Sequence, residues 1–467
     1  MTTSKRCLSA LSLGGWDENQ LGGVFPPILM VSSRVGNGDF GGIMLKKSLL
    51  PLMVIAFLCS VFVFSAGPAR SQGRGPGRGQ AVTLPDGPGK EAAQTYCTKC
   101  HALNLVVNSG GYTREGWEGL FSTMVAVPKE DSGVLAEYLA KNFPEQPRPA
   151  AVVIPGSVTV SIKEWTVPSL GSRPHDPEPG AGGTIWWTGM WANVLGRFDP
   201  KTAEFKEYQV TTPGSGPHGL EFDNSGNLWF TANSKGYIGK LDPKTGNVTE
   251  YKLPEGARDP HTPLFDQKGI LWFTAQGANM VGRLDPKTGD VKLVTSPTPR
   301  SNPYGMVVTT KGLPYFVEFG ANKVASIDPD TMAIKEYELP NAESRPRRVA
   351  IDADDVIWYS DYSRGYLGRF DPKTGKMAEW PSPSGPKSQP YGITVLNGAI
   401  WYSESAVRPN TLVRFDPKTE RFQTWLIPSG GGVVRNIKTT TDGKIVMACS
   451  GVNKIALVEV LSTNKSQ

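Results

Sequence analysis

The tetrapeptide Asp-Pro-Lys-Thr recurs at Asp199, Asp242, Asp285 and Asp371, always a multiple of 43 positions apart, and no other feature constrains the fold as strongly. Asp328-Pro329-Asp330-Thr331 fills the gap, and Asp416-Pro417-Lys418-Thr419 follows at 45. An aromatic pair keeps the same step: Trp186-Trp187, Trp229-Phe230, Trp272-Phe273, Tyr315-Phe316, Trp358-Tyr359 and Trp401-Tyr402. A worn last copy has Val446 at the aromatic position and Glu459 at the Asp position. A fixed period of this size means an array of units, none of which buries its apolar face alone.

Each unit breaks into four short strands. In the second copy these are Gly219–Phe222, Asn227–Thr231, Tyr237–Leu241 and Val248–Leu253, separated by Asn224-Ser225-Gly226 and Pro243-Lys244-Thr245-Gly246 turns. With 53 Gly and 39 Pro, roughly a fifth of the 467 residues break strands or helices, which suits many turns. Four strands per repeat without a helix is a propeller blade. The segment Ile162-Lys163-Glu164-Trp165-Thr166-Val167-Pro168 matches the fourth strand of other copies, and the last copy stops after its third. The expected fold is a seven-bladed β-propeller over residues 160–460, closed by its N-terminal strand. The Asp-Pro-Lys-Thr-Gly element reads as a hairpin turn without chemistry.

Upstream, Lys46-Lys47, the apolar run Leu49–Phe64 and Ala69-Arg70-Ser71 have the order of a secretory signal over residues 44–71. The 16 apolar residues are short for a membrane span, which needs about 20. The expectations are a start at Met44, with 1–43 a mis-assigned upstream stretch, export to the periplasm or medium, and no membrane span once the signal is removed. The net charge of +6 is small for this length and does not point to nucleic acid.

A Gly/Arg/Pro linker (72–82) precedes Cys97-Thr98-Lys99-Cys100-His101. Two cysteines two residues apart, followed at once by histidine, is the attachment pattern of c-type haem. The thiols add to the porphyrin vinyl groups and the adjacent imidazole then reaches the iron. A zinc site would need a second ligand pair nearby, and there is none. Helices are expected at Lys90–Tyr96, Gly116–Val125 and Ser132–Phe143. This stretch, 83–146, resembles the small all-α class I cytochrome c domains, which normally supply a methionine as second axial ligand. Met124 is the one methionine between the motif and the next linker (147–159), so the expected iron ligands are His101 and Met124.

The segments leading into the first strand of each blade carry His175, His218, His261, Tyr304, Arg347, Tyr391 and Arg435 at one shared position. Every histidine outside the haem motif is among them. Second-strand ends add Glu318, Asp361 and Glu404, with Asn233 and Gln276 near the histidines, so a ligand or metal site is expected on this face.

The array resembles the streptogramin B (virginiamycin B) lyases. Their hallmarks appear here as Pro217-His218-Gly219-Leu220, Pro390-Tyr391-Gly392-Ile393, Leu271-Trp272-Phe273-Thr274 and Asn279-Met280-Val281-Gly282-Arg283. The resemblance implies opening of a cyclic depsipeptide by elimination, with Mg²⁺ polarising the substrate and a histidine base. The family pattern puts Pro-His in the last two blades, where this chain has Tyr391 and Arg435. Rotation around the ring recovers His218 and Asp259-Pro260-His261, which makes His218 and His261 the candidate catalytic residues and Asp259 the candidate Mg²⁺ ligand; Gln276 stands where a Glu is required. Two functions follow. The first is an exported protein with covalent haem c, in which a cytochrome domain serves electron transfer with a partner protein or small-molecule substrate at the propeller. The alternative is a lyase with an accessory cytochrome. Quinone-cofactor dehydrogenases also join propellers to cytochromes, but generally with eight blades.

Overall fold

The computed structural model describes residues 82–99 and 102–461. The upstream stretch 1–43, the signal-like segment 44–71, nearly all of the first linker, Cys100 and His101 lie outside the described residues.

Four helices come first: α1 (Lys90–Cys97), α2 (Asn104–Val107), α3 (Arg114–Met124) and α4 (Lys129–Asn142). Thr113 caps α3 by accepting from the Gly116 N–H at 3.1 Å. α4 opens after Pro128 with Glu130 and Asp131 in its first turn and Lys141 in its last, as the helix dipole favours. Trp117, Leu120, Phe121 and Met124 recur at helical spacing on one face of α3, and Trp117 and Phe121 join Leu84, Ala93, Val106, Leu135 and Leu139 in a shared core. At the start of α1, Gly89 has φ of +97° and a Cβ there would sit 2.6 Å from the Tyr138 Cβ. Only glycine lets α1 and α4 approach this closely.

Seven four-stranded antiparallel sheets follow. Blade one runs outward as Pro174–Pro179, Ile185–Gly189, Val194–Asp199 and Glu204–Gln209, and the next five repeat that order. Blade seven has Val434–Thr439, Lys444–Cys449 and Lys454–Leu461, and its outermost strand is Thr159–Thr166, paired from Thr159↔Leu461 to Thr166↔Lys454. The first strand thus closes the ring as the repeat pattern requires. The linker expected at 147–159 is pinned to blade six: Thr424 Oγ1 donates to the Val152 carbonyl at 2.6 Å and accepts from the Ile154 N–H at 2.7 Å.

The repeated residues are structural. In the Asp-Pro-Lys-Thr turns the Asp carboxylate accepts the N–H two residues on, as at Lys201 (3.0 Å) and Lys244 (2.9 Å). Buried Trp229, Trp272 and Trp358 each donate their indole N–H at 2.9 Å to Asp223, Asp266 and Asp352, which turn the preceding hairpin. Gly239 shows why the third strand carries glycine, since a Cβ there would lie 2.1 Å from the Phe230 ring. Among the described residues no helix is long and apolar enough to cross a membrane.

Candidate functional site

Every inner strand has a register shift just after its first residue, as between Pro174 and Pro177 or Pro346 and Val349. A bulge of this kind places two consecutive residues where one would stand, and so re-aims side chains. Second-strand hydroxyls fix it to the neighbouring blade. Thr188 Oγ1 accepts from the Asp176 N–H at 3.0 Å and donates to the His218 carbonyl at 2.7 Å. Thr231 does the same for Gly219 and the His261 carbonyl, and Ser360 for Arg348 and the Tyr391 carbonyl.

The bulge builds a closed ring at the channel axis. His175, His218 and His261 are only 3%, 4% and 2% exposed. Their rings follow one another in series, tilted by 43° to 50°, with centroids 3.6 Å apart from His175 to His218 and 3.8 Å from His218 to His261, and Tyr304 next at 3.8 Å. The Tyr304 and Tyr391 hydroxyls share a hydrogen bond of 2.6 Å. The Arg347 guanidinium lies over the rings of Tyr391, Tyr362, Phe319 and Tyr304 at 4.0, 4.3, 4.8 and 5.1 Å. From the same bulge Arg348 reaches across from blade five to Asp176 in blade one, with contacts of 2.6 and 3.2 Å, and Asp176 also meets His175 Nδ1 at 2.9 Å.

Burial holds all three imidazoles well below their ordinary range, and for His175 the guanidinium groups of Arg435, Arg348, Arg347 and Arg173 push further in the same direction. These histidines are neutral at pH 7. Burial raises the Tyr391 phenol, but Arg347, Arg435 and Arg348 outweigh it and leave the group below its ordinary value.

The structure brings the candidate bases His218 and His261 together but sets Asp259 apart from them. Asp259 accepts a short hydrogen bond from Asn233, and burial pushes its carboxyl up to about 7. Glu318, Asp361 and Glu404 do not face the histidines as expected. Glu318 accepts from Ser296, Asp361 from the Arg345 N–H (2.9 Å), and Glu404 from Ser382 (2.7 Å) and Thr411 (2.6 Å), so these buried carboxylates chiefly tie down the segments that connect one blade to the next. The residues that sequence reasoning missed are Asp176 and Arg348, whose only signals were adjacency to His175 and Arg347.

Among the described residues, His175, Asp176 and His218 present ligand atoms within 4.8 Å of one another. Mg²⁺ does not fit this set. It demands hard oxygen donors, and the one carboxylate here is already held by a guanidinium fork. A like-charge pair at 8 Å repels by about 2 kcal/mol at an effective dielectric near 20, so each surrounding arginine adds to the cost of a dication.

Below the ring the channel opens into a cavity of about 250 Å³ bordered by Arg348, Thr262, Asn436, Glu221 and Lys438. There Lys438 Nζ bonds Glu178 and, at 2.7 Å, Glu221. One ammonium faces two carboxylates, and burial pushes the Glu178 acid up to about 8 despite the charged lysine. Because this folded pKa lies above the unfolded one, the contribution is full below about pH 4.5 and is lost as pH rises through 8. Glu178→Gln should therefore unfold less readily than the parent at pH 9, by on the order of 1–2 kcal/mol, with a smaller difference at pH 5. Urea unfolding at both values checks this, and an equal effect at both pH values would exclude the shifted acid.

A second site lies at the helices. Cys97 and Met124 border one cleft of about 70 Å³ walled by Val106, Leu120 and Phe121 and closed by Gly171 of the propeller. Burial pushes the Cys97 thiol up to about 11. Trp117 also borders the cleft, and its indole N–H is buried there without a hydrogen-bond partner. The lining is thus apolar apart from a thiol, a thioether and one unpartnered indole N–H.

The sequence model of the virginiamycin B lyase family matches residues 154–406. A solved streptogramin B lyase is 25% identical, with a TM-score of 0.60 over 65% of this chain and 98% of its own. Virginiamycin B lyase from Staphylococcus aureus is 22% identical, with a TM-score of 0.60 over 65% of this chain and all of its own. Hydrazine synthase from Kuenenia stuttgartiensis shares the fold at 13% identity, with a TM-score of 0.52 over 63% of this chain and 97% of its own. No curated protein matches.

Proposed function

The chain belongs to the virginiamycin B lyase family, and we propose that within it this is an exported c-type haem protein whose helical domain exchanges electrons with a ligand held by the propeller. One observation carries this reading. The Gly171 N–H donates to the Thr123 carbonyl at 3.0 Å, so the end of the Met124 helix is fixed to the segment that runs directly into Pro174 and His175. The cleft beside Cys97 and the histidine ring are thereby joined through a few residues of backbone.

Cys97 and Cys100 would hold the haem, with His101 and Met124 on either side of the iron. The haem, when bound, supplies one-electron redox chemistry. The apolar walls of the cleft exclude water, and Trp117 offers its free N–H to a polar edge of the group. The partner is an electron-transfer protein or a small redox-active molecule, and the signal-like segment 44–71 fits a periplasmic or secreted protein.

A carbon–oxygen lyase acting on a cyclic depsipeptide is the second reading, favoured by the family and by the side-by-side His218 and His261. The misfit of Mg²⁺ with the ring and the neutral Gln276 weigh against it.

Reduced-minus-oxidised spectra of the exported protein, recorded with electron donors and then with a streptogramin B, separate the two. Haem that changes redox state while the antibiotic stays intact supports electron transfer; ring opening with inert haem supports the lyase. In the same spectra Met124→Ala should convert low-spin haem to high-spin, and an unchanged spectrum would exclude Met124 as ligand.

A further inference from the structure

We propose that the arginine side of the channel ring binds a small divalent oxyanion, of sulfate or phosphate size, and that this is the ligand class of the propeller. The inference rests on the reading of the channel as the ligand-holding part of the protein.

The residues that the bulge aims at the axis are unbalanced in charge. At these two positions of the seven inner strands stand Arg347, Arg348 and Arg435, against Asp176 as the only acid. Arg173, immediately before the first inner strand, adds a fourth guanidinium. Asp176 is used by Arg348 and His175, so it cannot also neutralise the others. Arg435 Nε has Ser450 Oγ, a neutral acceptor, at 3.0 Å. Even partial burial of a charge without a counter-charge is unfavourable, and an anion would offset it.

Donors are also left over. Arg348 and His218, 3% and 4% exposed, each keep a buried nitrogen, Nε and Nδ1, without a hydrogen-bond partner. Arg173 Nε is in the same condition. Guanidinium forks match the spacing of oxyanion oxygens and bind them in pairs. A neutral imidazole can donate one N–H without adding charge. Burial, and then the neighbouring Arg435, lowers the Arg173 pKa to about 10, the response of a cation lacking an anion. Arg348 also borders the cavity below.

Titration calorimetry of the haem-bearing protein with sodium sulfate and sodium phosphate, at ionic strength matched by sodium chloride, tests the site. Binding should be saturable and should weaken at least tenfold in Arg435→Gln and in Arg173→Gln, with Arg435→Lys recovering part of the loss. Both arginines are only partly buried, and circular dichroism checks that the variants remain folded. Wild-type protein that binds neither oxyanion beyond the chloride control overturns the proposal, as do folded glutamine variants that bind as tightly as the parent. Sulfate bound by protein lacking covalent haem would uphold the anion site and remove the electron-transfer reading. Haem-bearing protein that changes redox state but takes up no oxyanion would do the reverse.

Discussion

Replacing Cys97 and Cys100 together by alanine is expected to abolish covalently attached haem completely. Thioether attachment needs a sulfur at each vinyl group, and beyond this pair the only cysteine in residues 72–467 is Cys449. Cys449 cannot substitute, because it is fully buried on the second strand of blade seven. The effect is all-or-none in a denaturing gel stained for haem, and the absorbance bands of bound haem should vanish in parallel. The propeller should survive, since its seven sheets are held by their own aromatic cores and by the closing strand Thr159–Thr166. The helices should be weakened, because Cys97 packs against their core and the cleft beside it would stand open. Denatured double variant that still carries haem would show that the Cys-x-x-Cys-His segment is not the attachment site. Haem lost together with all β-sheet signal would show that the two parts do not fold independently.

Much of this architecture was legible in the chain because a 43-residue period writes the same physical solution repeatedly. The Asp turns, the Trp–Asp hydrogen bonds of three blades and the glycine under the aromatic ring of four are local, so they recur with the blade. Closure was legible too, because Ile162–Pro168 is an outer strand lacking an inner partner until blade seven supplies one. The ring at the axis was only half legible. Its seven members share one sequence position, but the bulge doubles the residues that face inward, and no period reveals a bulge. Asp176 and Arg348 were therefore missed, although each adjoins a residue that was singled out. Glu318, Asp361 and Glu404 misled for the opposite reason. They occupy positions where other blades have Gly189, Ala232 or Ala275, and their direction depends on serine and threonine hydroxyls from neighbouring loops. Strand alternation alone does not say whether an end-of-strand carboxylate turns toward the axis or back into its blade.

Arg348→Met should destabilise the propeller by about 3–5 kcal/mol at pH 8, the usual consequence of removing one partner from a buried ion pair. Side chains of Arg348 and Asp176 are 4% and 3% exposed, so water cannot take the place of the missing guanidinium. Asp176 would retain His175, but that imidazole is held neutral by burial and by the remaining arginines. In the variant, burial without the guanidinium fork disfavours the charged carboxylate and so favours its protonation. Its unfavourable contribution is therefore absent below about pH 4 and grows as pH rises, so the deficit should be clearly smaller at pH 5 than at pH 8. Asp176→Asn added to Arg348→Met removes the charge altogether and should restore most of the loss, a coupling of at least about 2 kcal/mol. Urea unfolding of the two single variants and the double, at both pH values, measures each of these quantities. A single variant within 1 kcal/mol of the parent, or a double no better than Arg348→Met alone, would mean that the axis is wet enough to screen its charges. That result would also weaken the argument for a bound anion, because the excess of guanidinium groups demands a counter-charge only where water is excluded.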